Sequence, residues 1–265
     1  MPRIRYAVTL VFVIGLISVL HAADKRYPCI EKYAAQIEAL KMPLKEAMNK
    51  VMEQYGGIPI GGNLDFGDEG EGFIYRIQTV RPEQDGKSAG VWEIALDAET
   101  GEMIHMENAT RHREKDLRRR EEERRRERER DGKKQKKEKK DEDPAAEGKY
   151  PYVEAYIARI QKGGVPIQEA MNSIVEEHGG FPVTANMDEE EEGFVVTVMT
   201  AIAAKDGKPA RLWEIAVDAA TGELMHISNA ARWMERELVE REKDRERARK
   251  EREEEERKEG RKKDE

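Results

Sequence analysis

The side chains best suited to chemistry are histidine and methionine residues that recur at matching places in two related stretches of the chain. Met103 and His105 lie in the first stretch, and Met225 and His226 lie in the second. Imidazole nitrogen and thioether sulfur together suit copper. In a regular strand His105 and Met103 would share one face while Met106 points to the other, so at most two ligands would converge in each copy. We therefore expect ordinary sheet packing, with metal binding as the weaker alternative, and no cofactor.

Two acidic loops are a second candidate for metal binding. The first loop runs from Asp65 to Glu71, and the second runs from Asp188 to Glu192. Calcium sites need oxygen ligands that converge on one point, and neither loop has the spacing of an EF-hand. Consecutive carboxylates around a turn point apart, so we interpret both loops as solvated hairpin tips.

Residue patterns typical of catalytic sites are missing from the sequence. It contains no Gly-x-Ser-x-Gly, His-Glu-x-x-His or Cys-x-x-Cys pattern and no glycine-rich loop that would hold a phosphate. The single cysteine, Cys29, has Tyr152 at the matching position of the second stretch, and one cysteine cannot form an internal disulfide. We therefore predict that the protein is not an enzyme and has no catalytic residues.

The two related stretches form an internal repeat. Residues 27–109 return, with changes, as residues 150–230. The offset is 123 residues up to Asn63 and 121 residues from Phe73 onward, which places a two-residue length difference in a loop, where it costs little. The chain thus contains two copies of one module.

Each module reads as helices followed by strands. In the first copy, apolar residues recur at helical spacing before and after Pro43, and the second of these helices ends at Gly56-Gly57. Three extended runs and a short fourth one follow, rich in β-branched and aromatic residues. This order predicts an α+β fold in which one or two helices pack on a small antiparallel sheet of three to four strands.

A short turn motif joins the last two predicted strands of each module. Its residues are Asp97, Thr100 and Gly101 in the first copy, and Asp218, Thr221 and Gly222 in the second. Aspartate opens such a turn by accepting bonds from nearby backbone amides, and glycine takes the positive φ that closes it. We interpret these six residues as a structural hairpin motif.

With the preceding helix, the Gly-Gly break and the Trp-Glu-Ile-Ala strand, this motif resembles the PepSY domain. The resemblance covers about 42–106 and 165–227, and it predicts a tandem PepSY-like protein. PepSY domains occur in propeptides of secreted metallopeptidases and in exported bacterial proteins. The resemblance therefore implies a non-catalytic module that binds or inhibits a partner protein or peptide, and an exposed sheet edge is one way to bind it.

The first 23 residues have the pattern of a secretory signal peptide. Arg3 and Arg5 precede an apolar run from Ala7 to Leu20, and small residues follow. We expect cleavage near Ala23, export to the periplasm or the exterior of a bacterial envelope, and no membrane span after cleavage. Cys29 is a poor lipidation site because Arg26-Tyr27-Pro28 before it lacks small side chains.

Charge divides the remainder into four segments. The predicted modules, 24–107 and 143–229, are acidic; residues 24–109, for example, carry 9 Lys+Arg against 16 Asp+Glu, a net of −7. The segments 108–142 and 230–265 are very rich in Glu, Arg and Lys, and Leu117 is essentially the one aliphatic residue of the first of these segments. Glu/Arg pairs three or four residues apart support isolated helices, whereas a coiled coil needs a regular apolar stripe. We therefore predict solvated charged single helices, and modules that unfold independently.

Two functions remain open at this stage. The first is an exported binding or regulatory protein that acts through its modules on a protein or peptide, with peptidase inhibition as one form. The alternative is a structural spacer or envelope tether that acts through the charged helices, with 108–142 contacting an anionic envelope polymer. Nucleic acid is not expected as a partner, because the modules are acidic and export removes the protein from most nucleic acid.

Overall fold

A computed structural model describes residues 26–66, 72–83, 89–130, 150–162, 166–190 and 193–263. The predicted signal peptide, 1–23, and part of the predicted linker lie outside these residues. These residues form six helices and eight strands, and the order of two helices, four strands and one helix occurs twice. The elements of the first half are α1 (Pro28–Glu38), α2 (Leu44–Tyr55), β1 (Ile58–Phe66), β2 (Phe73–Arg81), β3 (Gly90–Asp97), β4 (Met103–Asn108) and α3 (Thr110–Arg130). Those of the second half are α4 (Pro151–Lys162), α5 (Ile167–His178), β5 (Phe181–Glu189), β6 (Phe194–Ile202), β7 (Arg211–Asp218), β8 (Leu224–Asn229) and α6 (Ala231–Lys263).

The strands form one antiparallel sheet in the order β4-β3-β2-β1-β5-β6-β7-β8. The two halves join where β1 pairs with β5, and Gly62 lies opposite Ala185, its counterpart in the second copy. Glycine allows this approach: a Cβ on Gly61 would lie 2.9 Å from Oδ1 of Asn186. The prediction of two separate small sheets is therefore wrong, because the first strand of each copy supplies a free backbone edge that the other copy completes.

Helices α2 and α5 cover the centre of this sheet. In α2 the side chains of Leu44, Ala47, Met48 and Val51 are fully buried, one every three or four residues. The helix begins after Pro43 and ends where Gly56 adopts a φ of 72°. The helix lies on the face that carries Gly62, since a Cβ there would meet the terminal carbon of Met48 at 2.6 Å. Buried apolar residues of both copies form one continuous core.

The first helix of each copy packs against strands of the other copy. Helix α1 contacts β5, β6 and β7, and α4 contacts β3. Because β1 and β5 pair over only three residues, their outer ends keep unpaired backbone groups. The Tyr33 hydroxyl donates to the Leu64 carbonyl at 3.5 Å, and the Tyr156 hydroxyl donates to the Met187 carbonyl at 3.2 Å. This exchange of helices makes the halves interdependent.

The charged helices also differ from the prediction in their N-terminal parts. Leu117 of α3 and Leu238 of α6 are buried in the common core. The Glu114 carboxylate accepts a hydrogen bond from the Val153 amide at 2.8 Å, at the start of α4. Glu235 does the same for the Ile30 amide at 3.0 Å, at the start of α1. The prediction of free-standing charged helices is wrong for these parts, because carboxylates there cap the helices of the core.

Candidate functional site

The outermost strands, β4 and β8, are the two edges of the sheet. Every residue of β4 is exposed, and three residues of β8 are exposed while the other three are half-buried. The exposed apolar side chains on these edges keep between 37% and 54% of their surface in water; they are Met103, Ile104, Met106, Leu224 and Met225. A sheet edge offers unpaired backbone donors and acceptors, and apolar side chains beside it add contact area. Each edge can therefore accept an extended peptide.

The predicted turn motif positions the edge strands. In the first copy, one oxygen of Asp97 accepts bonds from the backbone amides of Glu99 and Thr100, at 2.9 and 2.7 Å. The Thr100 hydroxyl also donates to Asp97, at 3.0 Å, and Gly101 closes the turn with a φ of 69°. The hydrogen bond from the Thr100 amide holds the pKa of Asp97 below its ordinary value.

The second copy repeats this arrangement. Asp218 accepts from the amides of Ala220 and Thr221, both at 2.8 Å, and from the Thr221 hydroxyl at 3.1 Å. Gly222 has a φ of 72°. The six motif residues thus lie inside the turns that lead into β4 and β8, where the two aspartates accept the bonds that close each turn.

The histidine and methionine candidates are divided by an irregularity in the strand register. His105 pairs with Ala95 and Met103 pairs with Leu96, which are neighbours on β3 and so lie on opposite faces. The expectation that Met103 and His105 share a face is therefore wrong. In the second copy Ala216 pairs with His226, and the matching irregularity follows it. No group of three or more His, Cys, Asp or Glu in the described residues could hold a metal ion.

The face of the sheet that carries His105 is polar. Arg76 on β2 lies 3.4 Å from Asp65 on β1 and 3.7 Å from Glu93 on β3, the two strands that flank β2. The Asn63 amide also donates to Asp65, at 2.7 Å. At the start of the first acidic loop, Asp65 therefore has protein partners. Residues 67–71 and 191–192 of the acidic loops lie outside the described part of the chain.

Sequence reasoning missed the residues that tie the two copies together. Tyr33, Tyr156, Glu114 and Glu235 each recur at the repeat offset, which is the signal that could have revealed them. The exposure of Ile104 was also missed. The residue pattern of the last strand of a module does not reveal whether another element covers its outer edge. Among the described residues, no helix is both long and apolar enough to cross a membrane.

Comparison with known families supports the resemblance in the first copy. Residues 41–107 match the PepSY model, described as "Peptidase propeptide and YPEB domain". This stretch begins after α1 has ended, covers α2 and ends within β4, and it includes the first turn motif. The assignment of the second copy to the same family stays a prediction. No curated protein gives a significant match to the chain.

One solved structure is similar to this chain, a protein described as a "putative lipoprotein" from Clostridium difficile 630. The two sequences are 14% identical, and the alignment covers 72% of this chain and 94% of that one. The TM-score is 0.33, which is too low to carry an argument about fold or function.

Proposed function

We propose that this protein is an exported, non-catalytic binding protein whose sheet edges take up an extended segment of a partner protein or peptide. The observation that carries the proposal is strand β4, an outer strand in which all six residues are exposed and three of them are apolar. The PepSY match ends in this strand, and the name of that family connects it with peptidase propeptides. Inhibition of a peptidase is one form that such binding would take.

The proposal fits the chemistry of the edges. An added strand would gain backbone hydrogen bonds from β4 or β8, while the exposed Ile104 and Met225 supply apolar contact. Methionine adapts to different partners because its side chain is unbranched and polarizable. The turn motifs hold both edge strands at their start, so little ordering is needed when the partner binds.

Site-specific photocrosslinking tests this proposal. A photoreactive amino acid at position 104 or 225 should capture a partner in cells, whereas the same residue at Met52 should not. Met52 is a matched control because it is an exposed apolar residue, at 41%, on helix α2 and away from the edges. Equal capture at all three positions would contradict binding at the edges.

A variant pair gives the quantitative test. Ile104→Lys places a charge on the edge and should lower the affinity for the captured partner at least tenfold. Met52→Lys should leave that affinity unchanged. An unaltered affinity in Ile104→Lys would refute the role of β4.

The alternative function, a spacer or envelope tether, is supported by helix α6. It spans 33 residues, about 50 Å at 1.5 Å per residue, and its side chains from 243 to 254 are exposed. Removing residues 243–265 should abolish localisation if the helix is a tether, and should leave partner binding intact if the edges are the site. Contact of 108–142 with an anionic polymer belongs to this alternative.

A further inference from the structure

A pocket of about 160 Å³ lies between α1, α6 and the ends of β1 and β2. Its wall includes the aromatic rings of Tyr33, Phe66 and Phe73, whose centroids are 4.9 to 5.9 Å apart. Lys32, Arg241, Arg245 and Glu242 also line it. The lining thus combines an aromatic surface with three cations and one carboxylate.

The repeat shows what occupies the same place in the second copy. Phe66 and Glu189 are the last residues of β1 and β5, and each pairs with the first phenylalanine of the next strand. Glu189 is 12% exposed, accepts a bond from Arg159 at 2.9 Å and lies 3.9 Å from Arg124. A carboxylate of the chain itself therefore fills this position in the second copy.

Most of the surrounding framework is the same in both copies. Arg120 bonds Asp188 at 3.0 Å, and its counterpart Arg241 lies 3.4 Å from Asp65. Both copies also place a tyrosine hydroxyl on the neighbouring strand carbonyl. The copies differ at the carboxylate itself and at three lining residues of the first helix, Cys29, Lys32 and Gln36, whose counterparts are Tyr152, Ala155 and Arg159.

Arg245 is the counterpart of Arg124, and Gln36 is the counterpart of Arg159. With Phe66 in place of the glutamate, the guanidinium of Arg245 lies 4.1 Å from the centre of the Phe66 ring. An arginine over a ring face has N–H donors in its plane that can also bond an anion, and Arg245 already interacts with the Glu242 carboxylate of the pocket. Gln36 adds an amide to the same pocket.

We propose that this pocket binds a carboxylate of a peptide beside the Phe66 ring, where it meets Arg245 as Glu189 meets the counterpart Arg124 in the second copy. The carboxylate contacts Arg245 and Gln36, and an apolar side chain next to it packs on Phe66 and Phe73. Two sources carry this chemistry, a C-terminal carboxylate and an acidic side chain. The pocket lies at the ends of the central strands, so its function does not depend on binding at the outer edges.

Titration of the 15N-labelled full chain tests the proposal by NMR. The probes are N-acetylphenylalanine, its neutral amide, and the blocked peptide acetyl-Ala-Glu-Ala-amide. At least one of the two carboxylates should shift the amide signals of 29–36 and 66, with a Kd on the order of 1 mM. The neutral amide should bind at least tenfold more weakly, and high salt should lower the affinity of the carboxylate probes. Binding of the first probe identifies a C-terminal carboxylate, and binding of the peptide identifies an acidic side chain.

Variants built from the repeat distinguish this pocket from other cationic surfaces. Phe66→Glu copies the second repeat and should fill the pocket, and Arg245→Gln should remove its cation, so each should lower the affinity at least tenfold. Arg124→Gln is the matched control in the second copy and should leave this affinity unchanged, as should Ile104→Lys at the sheet edge. Glu189→Ala should create a second site.

The proposal is overturned if no carboxylate probe binds, if the neutral amide binds equally well, or if the affinity survives Phe66→Glu in a folded chain. Loss of partner capture in Ile104→Lys with an intact carboxylate titration would separate this site from the proposed function at the edges.

Discussion

Replacing Glu114 by alanine tests whether the charged helix α3 belongs to the core. The Glu114 side chain is 3% exposed, and its two oxygens accept bonds from the amides of Tyr152 and Val153, at 3.3 and 2.8 Å. Hydrogen bonds to a charged group contribute about 1.5–3 kcal/mol each. The helix N-terminus regains some solvation in the variant, so we expect a loss of about 2–4 kcal/mol in the free energy of unfolding.

For a chain of this size that loss corresponds to a fall in Tm of about 4–16 °C. Differential scanning calorimetry measures it, and a single peak should move as a whole because both halves share one sheet. Glu123→Ala, on the exposed part of the same helix, is the control and should change Tm little. Glu114→Gln keeps one acceptor oxygen and should recover part of the loss. If Glu114→Ala matched the control, or split the peak in two, α3 would be a solvated rod joining independent modules.

Three further substitutions probe the turns and the second charged helix. Gly57→Ala should destabilise the protein by about 1–3 kcal/mol in urea unfolding, because φ is 95° and the new Cβ would lie 2.8 Å from the Val80 carbonyl oxygen. Gly56→Ala also meets a positive φ, of 72°, but nothing lies within 4 Å of its new Cβ, so it should cost less, and equal effects would contradict the role of the contact with Val80. The turn lowers the pKa of Asp97, so the stabilisation from its carboxylate is present above the ordinary aspartate pKa and is lost as pH falls below about 4. Asp97→Asn should remove that part of the acid sensitivity when the free energy of unfolding is measured over a pH series. An unchanged pH profile would contradict this role of Asp97. Leu238→Ala should cost about 2–5 kcal/mol by urea unfolding, whereas a neutral effect would mean that α6 does not pack.

The sequence was sufficient for local structure because local structure depends on nearby residues. The spacing of Leu44, Met48 and Val51 predicts α2, and the Gly56-Gly57 pair predicts its end. The turns that begin at Asp97 and Asp218 were predicted from their residue types. The PepSY match to 41–107 confirms the family resemblance for the first copy.

The same reasoning failed where the outcome depends on distant partners. The faces of Met103 and His105 were assigned from strict alternation, and a single register irregularity at Ala95 and Leu96 reverses them. Such an irregularity adds one residue on one strand and leaves no clear pattern in composition.

What the sequence determined by itself is the repeat, the order of helices and strands, and the turn chemistry, since these follow from residue spacing and backbone preference. What only the tertiary structure decided is that the two copies share one sheet and one core. The junction is made by backbone pairing of Gly61, Gly62 and Asn63 with β5, and every residue except proline offers the same backbone donor and acceptor, so the glycines permit this pairing but do not identify the partner strand. A single leucine in each charged helix then becomes a core residue because the joined sheet places it there.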